Sequence, residues 1–128
     1  MTVAEAIADA ERLLPGRAAA DGERDPRWQA IIGVGEFVDS EPDSVWRFVM
    51  RWGTSEDEDL RMAVATCLLE HLLERHFDML IGRVEHLAAR NPFFADTVRH
   101  CWAFGRAQDP SHAARLQAAG RHLRDLSS

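Results

Sequence analysis

The stretch SEDEDLRMAVATCLLEHLL, residues 55–73, decides the fold of this chain. After Arg61 its apolar residues recur every three or four positions, which is the period of an amphipathic α-helix. The same order occurs thirty-four residues earlier, where Arg27 precedes apolar residues in the same helical step. An internal match at this period is typical of helical repeats, in which each unit buries its apolar face on its neighbour. The sequence therefore predicts an all-α repeat domain.

Capping signals divide the chain into helices. Asp25-Pro26, Asn91-Pro92 and Asp109-Pro110 each place a capping side chain before a proline at the first helical position. Seven helices are predicted, at residues 2–14, 26–39, 42–52, 56–75, 77–90, 92–104 and 110–126. Short connections favour antiparallel helical hairpins. Residues 16–24 are predicted to be a loose linker, and the helix at 110–126 is predicted to cap the stack.

The repeated segment resembles a known repeat family. In the second helix of a HEAT repeat, an acidic turn and an aliphatic–arginine pair precede helically spaced apolar residues, and Leu60-Arg61 is such a pair. Asp25-Pro26-Arg27 resembles it more loosely, and the likeness covers residues 25–75. It fades afterwards, because Ala95 stands where a third arginine would fall.

The resemblance to HEAT and armadillo repeats has consequences for the architecture. It implies a single domain over residues 1–128, built as a short right-handed stack of helical hairpins. It also implies that second helices line a concave surface, which here would be 26–39, 56–75 and 92–104.

Composition limits the function classes. The chain has 128 residues, of which 46% are apolar, and a net charge of −6. An acidic chain is poorly suited to a long nucleic-acid interface, which needs clustered positive charge. Its longest apolar stretch is too short for a membrane span. Two cysteines inside helical patterns, with no secretory segment, predict a reducing cytoplasmic location.

Arg27 and Arg61 stand at the centre of apolar arcs, where an unpaired charge is costly. Asp25 and Asp59 precede them by two residues each. We therefore expect a structural role, in which each arginine is buried and pairs with an acidic residue of a preceding turn. The alternative is an arginine that recognises a carboxylate or phosphate of a ligand.

Cys67 and His71 lie four residues apart on the opposite face of the same helix, flanked by Glu70 and Glu74. A thiol, an imidazole and carboxylates could hold a zinc ion, or the pair could form a thiolate nucleophile. Either site needs further groups, and nothing in the sequence marks them. The main interpretation is an ordinary polar face with a half-buried thiol, so no cofactor and no catalytic residue are predicted.

Helix 42–52 is apolar over a wider arc than a surface helix normally shows. Either its neighbours cover it on two sides, or part of it binds a partner. Trp46, Arg47 and Arg51 are candidates for such a face, because tryptophan and arginine are enriched at interface hot spots.

Glu36 and Glu70 occupy equivalent repeat positions, and Glu74 lies one turn beyond Glu70. We expect these carboxylates to form an acidic row on the concave side. This row favours a non-enzymatic interaction module, an adaptor or an inhibitor, that binds a basic protein. The oligomeric state is left open.

The alternative function is DNA binding or alkylation repair. Some bacterial DNA glycosylases consist of HEAT-like repeats with tryptophans in a basic concave groove, and this chain is similar in helix pattern and tryptophan content. It differs in its smaller length and in the acidic sign of Glu36, Glu70 and Glu74, which would repel phosphate. Nucleic acid is therefore the less favoured partner.

Overall fold

The computed structural model describes residues 1–14, 26–101 and 109–127, and within these ranges the chain is helical with no strand. The helices are α1 (Val3–Leu13), α2 (Pro26–Gly35), α3 (Pro42–Trp52), α4 (Glu58–Val64), α5 (Glu70–Arg90), α6 (Pro92–Arg99) and α7 (Pro110–Ser127). A π-helical turn, Ala65–Leu69, joins α4 to α5 without a break. The all-α prediction is confirmed for these residues. The predicted linker at 16–24, Asp25 and the end of helix 92–104 lie outside the described residues.

Capping side chains begin the later helices as the sequence predicts. Asn91 accepts a hydrogen bond from the backbone amide of Phe94, and Pro92 takes the first helical position of α6. Asp109 accepts a hydrogen bond from the backbone amide of Ser111 at the start of α7. Each cap satisfies an amide that lacks a partner within its own helix.

Two helix boundaries differ from the prediction. The helix predicted at 26–39 ends at Gly35, because amides such as those of Glu36 and Phe37 bond carbonyls three residues back and tighten the chain into turns. The helices predicted at 56–75 and 77–90 form one continuous run through the π-helical turn. A kink marks the predicted boundary, since His76 has φ −132° and ψ 41° inside α5. The described residues therefore form six continuous helical runs.

The packing order places the later sites. α2, α4 with the π-helical turn, and α6 contact one another in that order, while α3 packs against both α4 and α5. α1 packs on α2 and α3, and α7 on α5 and α6. Fully buried side chains such as Ile31, Leu68, Phe77 and Phe94 fill the interior. Trp46 meets Phe94 edge to face, with ring centroids 5.9 Å apart.

α7 is attached to α5 by an aromatic contact and an ion pair. The imidazole of His112 stacks on the ring of Phe77, with centroids 4.0 Å apart. The Arg115 guanidinium donates two hydrogen bonds to the carboxylate of Glu85, at 2.6 and 3.1 Å. Together they fix the last helix along one side of α5.

Candidate binding grooves

The two repeat-related arginines are buried, and each pairs with carboxylates of the next helix in the row. Arg27 contacts Asp57 at 3.4 Å and Asp59 at 3.0 Å, both at the start of α4. Arg61 contacts Asp96 of α6 at 2.9 Å. The partner predicted for Arg61 is therefore wrong. Asp59 binds the arginine of the neighbouring helix, so each pair links two helices.

Arg61 uses its remaining donors on the protein as well. It donates to the backbone carbonyls of Ser55 at 2.8 Å and Glu56 at 3.0 Å, which precede α4. Burial alone would raise the pKa of Asp96, but hydrogen bonds from Arg99 and Arg61, with the charges of His100 and Arg61, lower it below its ordinary value. With its donors bonded to the protein, Arg61 is better suited to a structural role than to ligand recognition.

The predicted acidic row is wrong, because Glu70 is buried with 6% of its surface exposed. Glu36 is exposed in the turn after α2, and Glu74 is half-buried and lies 3.4 Å from Nδ1 of His71. The packing around this segment is the physical reason. The π-helical turn that leads into Glu70 contacts α2, α3 and α6, so it is covered on several sides, and Leu69 and Leu73 beside Glu70 are buried as well.

A groove of about 390 Å³ lies between α2 and the π-helical turn. Cys67 and His71 both line it, together with Glu36, so these three predicted site residues share one surface. Arg75 and Asp39 also line this groove and pair with each other at 3.5 Å. The groove is therefore polar, with charges of both signs.

The thiols are in environments that favour the protonated form. Burial raises the pKa of Cys67, a hydrogen bond with Thr66 opposes this increase, and the charge of Glu70 adds to it. Burial and Glu70 raise the pKa of Cys101 well above its ordinary value. A thiolate nucleophile at neutral pH is not favoured by such sites. Within the described residues, no three His, Cys, Asp or Glu side chains form a group that could hold a metal ion.

The residues predicted on helix 42–52 divide between two grooves. Arg47 and Arg51 line a groove of about 530 Å³ between α1 and α3. Arg51 pairs with Glu11 at 3.0 Å and lies over the Trp52 ring at 5.1 Å, so it holds α1 against α3. Arg47 is exposed and reaches the Asp43 carbonyl of its own helix at 3.5 Å. Trp46 belongs to a different groove.

That second groove, which we call the Trp46 groove, lies between α3 and α5 and has a volume of about 500 Å³. It is lined by Trp46, Met50, Gly82, Arg83, His86, Leu87 and Arg90. Trp46 is 4% exposed and belongs to the core, whereas Met50 is 41% exposed. The groove therefore has an apolar floor open to solvent and a rim of basic side chains.

The rim cations differ in how they are held. Arg83 pairs with Asp43 of α3 at 2.9 Å, across the groove. Arg90 donates to Nε2 of His86 at 2.9 Å, and no carboxylate in the described part of the chain pairs with it. Positive charge at this end of α5 is thus available to a ligand.

Sequence reasoning missed the α5 wall of the Trp46 groove. The signal was present, because the adjacent Gly82 and Arg83 are followed at intervals of three or four by His86 and Arg90, on one side of the helix. Nothing local indicates that this face meets Trp46 and Met50 of α3, which requires the packing of two helices. Of the residues that line this groove, the sequence pattern identified Trp46 alone.

Comparisons place the chain in a family. No described helix is both long and apolar enough to cross a membrane. Comparison with curated proteins and with solved structures found no match. A protein-family model matches residues 17–122, most of the chain. The chain belongs to DUF6869, a family of unknown function.

Proposed function

We propose that this protein is a non-enzymatic interaction module that binds a segment of another protein in the Trp46 groove. The observation that carries the proposal is an apolar floor, with Met50 41% exposed, between two packed helices. Methionine is common at binding surfaces, because its flexible thioether adapts to different partners. A groove between helices that exposes flexible apolar side chains suits a peptide segment.

The architecture we propose is a short HEAT-like stack of hairpins. Two observations support it: α2, α4 and α6 pack in a row, and Arg27 and Arg61 make related contacts to the next helix of that row. In such stacks neighbouring hairpins bury a continuous core and leave grooves between helices for partners. The Trp46 groove would be one of these.

Two other hypotheses from the sequence have less support. A basic partner was expected from three glutamates, of which Glu70 is buried. DNA binding needs a longer row of free cations than Arg83 and Arg90 provide, and Arg83 is already paired with Asp43. We therefore base the proposal on the apolar floor and not on an acidic or a basic face.

A displayed library of random peptides, about twelve residues long, tests the proposal on the full chain. Gly82→Leu should fill the groove, because a side chain at Gly82 meets open space. Gly33→Leu is the matched control, since Gly33 of α2 also faces open space and does not line the groove. We expect enriched peptides to bind wild type and Gly33→Leu, and to lose at least about tenfold in affinity for Gly82→Leu.

Circular dichroism of both variants is the check that their helices are kept. Enrichment of no peptide, or peptides that bind Gly82→Leu as well as wild type, would show that the Trp46 groove is not the binding site.

A further inference from the structure

Gly82 is a glycine whose presence the fold does not explain. It lies inside α5, where glycine is less favourable than alanine, and a Cβ atom at this position would meet nothing within 4 Å. No neighbouring part of the described chain therefore requires that this position lack a side chain. Glycine also permits a second backbone to approach a helix closely. The position is suited to a partner whose backbone lies against α5.

The exposed face of α5 continues beyond the groove and has the length of a helix-binding site. Met79 does not line the groove, but it is 41% exposed and lies three residues before Gly82 on the same helical face. From Met79 to Arg90 the face extends about 16 Å, the length of three helical turns. Trp46 and Met50, one turn apart, form the opposite wall. A third helix laid between two packed helices buries such a strip with its own apolar stripe.

Arg90 gives one end of the groove a positive charge. At one end Arg90 and His86 bond to each other, and Arg90 has no carboxylate partner in the described residues. Asp43, on the facing helix α3, is already paired with Arg83. A carboxylate reaching Arg90 could accept two hydrogen bonds from its planar guanidinium. The net charge of −6 repels acidic partners at long range, so this recognition must be local.

We infer that the Trp46 groove binds a short amphipathic α-helix of a partner protein, with an apolar stripe and acidic flanks, and that Arg90 recognises a carboxylate of that helix. This inference rests on the proposed function and adds the conformation and charge of the ligand. Gly82 admits the backbone of the bound helix. Met50 and Leu87 in the groove, with Met79 beside it, cover its apolar stripe, and Arg90 binds its carboxylate.

Three helix-favouring peptides of about fourteen residues test the inference. They share one apolar stripe and differ only in the flanking positions, which carry Glu, Gln or Lys. Titration calorimetry with the full chain should give affinity in the order Glu, Gln, Lys, with about tenfold between the first two. Arg90→Glu should reverse this order, and Arg90→Gln should remove it. Arg47→Glu is the control, because Arg47 is exposed on α3 but lines another groove.

The outcomes separate this inference from the proposed function. If all three peptides bind wild type with equal affinity and none binds Gly82→Leu, the groove is a binding site but Arg90 does not select a carboxylate. That result would overturn the inferred charge selection. A preference for the Lys peptide would also overturn the inferred charge selection, because it would show that the groove binds a basic ligand. If none of the three helical peptides binds, while library peptides bind wild type and not Gly82→Leu, the ligand of the groove is not a helix. Self-association in sedimentation that Gly82→Leu abolishes would identify a second copy as the occupant and also overturn the inference.

Discussion

Two regions of this molecule use arginine in opposite ways. In the row α2, α4 and α6, Arg27 and Arg61 are buried and their charges are met by carboxylates of the next helix. In the Trp46 groove, Arg83 and Arg90 are exposed beside an apolar floor, and Arg90 has no described carboxylate partner. The first region is complete within the chain. The second presents apolar surface and charge that a ligand could complete, and so carries the proposed function.

Removing Arg61 should have the largest effect on stability. Arg61→Ala leaves the carboxylate of Asp96, whose side chain is 17% exposed, without its closest interhelical cation. We expect a loss of about 3 kcal/mol in the free energy of unfolding, measured by urea denaturation. Arg99→Ala is the matched control, because Arg99 binds the same carboxylate from a more exposed position. It should cost less than about 1 kcal/mol. Similar losses for both variants would contradict a special role for the buried arginine.

Arg27→Ala should cost less than Arg61→Ala, although both arginines are buried. The carboxylates of Asp57 and Asp59 are 47% and 52% exposed, so water can solvate them when the arginine is removed. We expect a loss of about 1–2 kcal/mol in the same denaturation experiment. A loss as large as that of Arg61→Ala would mean that solvent exposure of the carboxylate partners does not determine how much stability is lost.

Much of the fold could be predicted because its signals are local. Asn91 and Pro92 start α6 through their own backbone and side chains, and the predicted boundary after residue 75 coincides with the kink at His76. The π-helical turn could not be predicted, since one added residue hardly changes the apolar spacing. The burial of Glu70 could not be predicted either, because it depends on the helices that pack around this segment.

The interhelical contacts depend on packing that no local pattern contains. Arg61 and Asp96 are thirty-five residues apart, and their contact requires the stagger of α4 against α6. The Trp46 groove likewise arises where α3 meets α5. Burial of the two arginines was predicted, because charges inside an apolar arc must be paired. The partner of Arg61, which is Asp96 of α6, was not.

Acidic pH should weaken the Arg61 contact. The folded pKa of Asp96 is lowered, so its carboxylate contributes stability above its ordinary pKa of about 3.9, and this contribution is lost as the pH falls through the folded value. We expect the stability difference between wild type and Arg61→Met to be constant from pH 7 to about pH 5 and to shrink below about pH 4. Urea denaturation at each pH measures it. A difference that grows on acidification would contradict the assigned sign.

The smallest expected change in stability is that of Gly82→Ala, which tests whether folding requires a glycine at this position. Gly82→Ala adds one methyl group to open space in the middle of α5 and removes the flexibility of glycine in the unfolded chain. We expect it to stabilise the protein by about 0.5–1 kcal/mol, because alanine has the higher helix propensity. Gly33→Ala in α2 is the matched control and should stabilise to a similar extent. Affinity for the groove-binding peptides should fall in Gly82→Ala alone, since the methyl group separates the two backbones. If Gly82→Ala destabilises the chain, the glycine serves folding, and the contrast between a completed and an open region loses one of its supports.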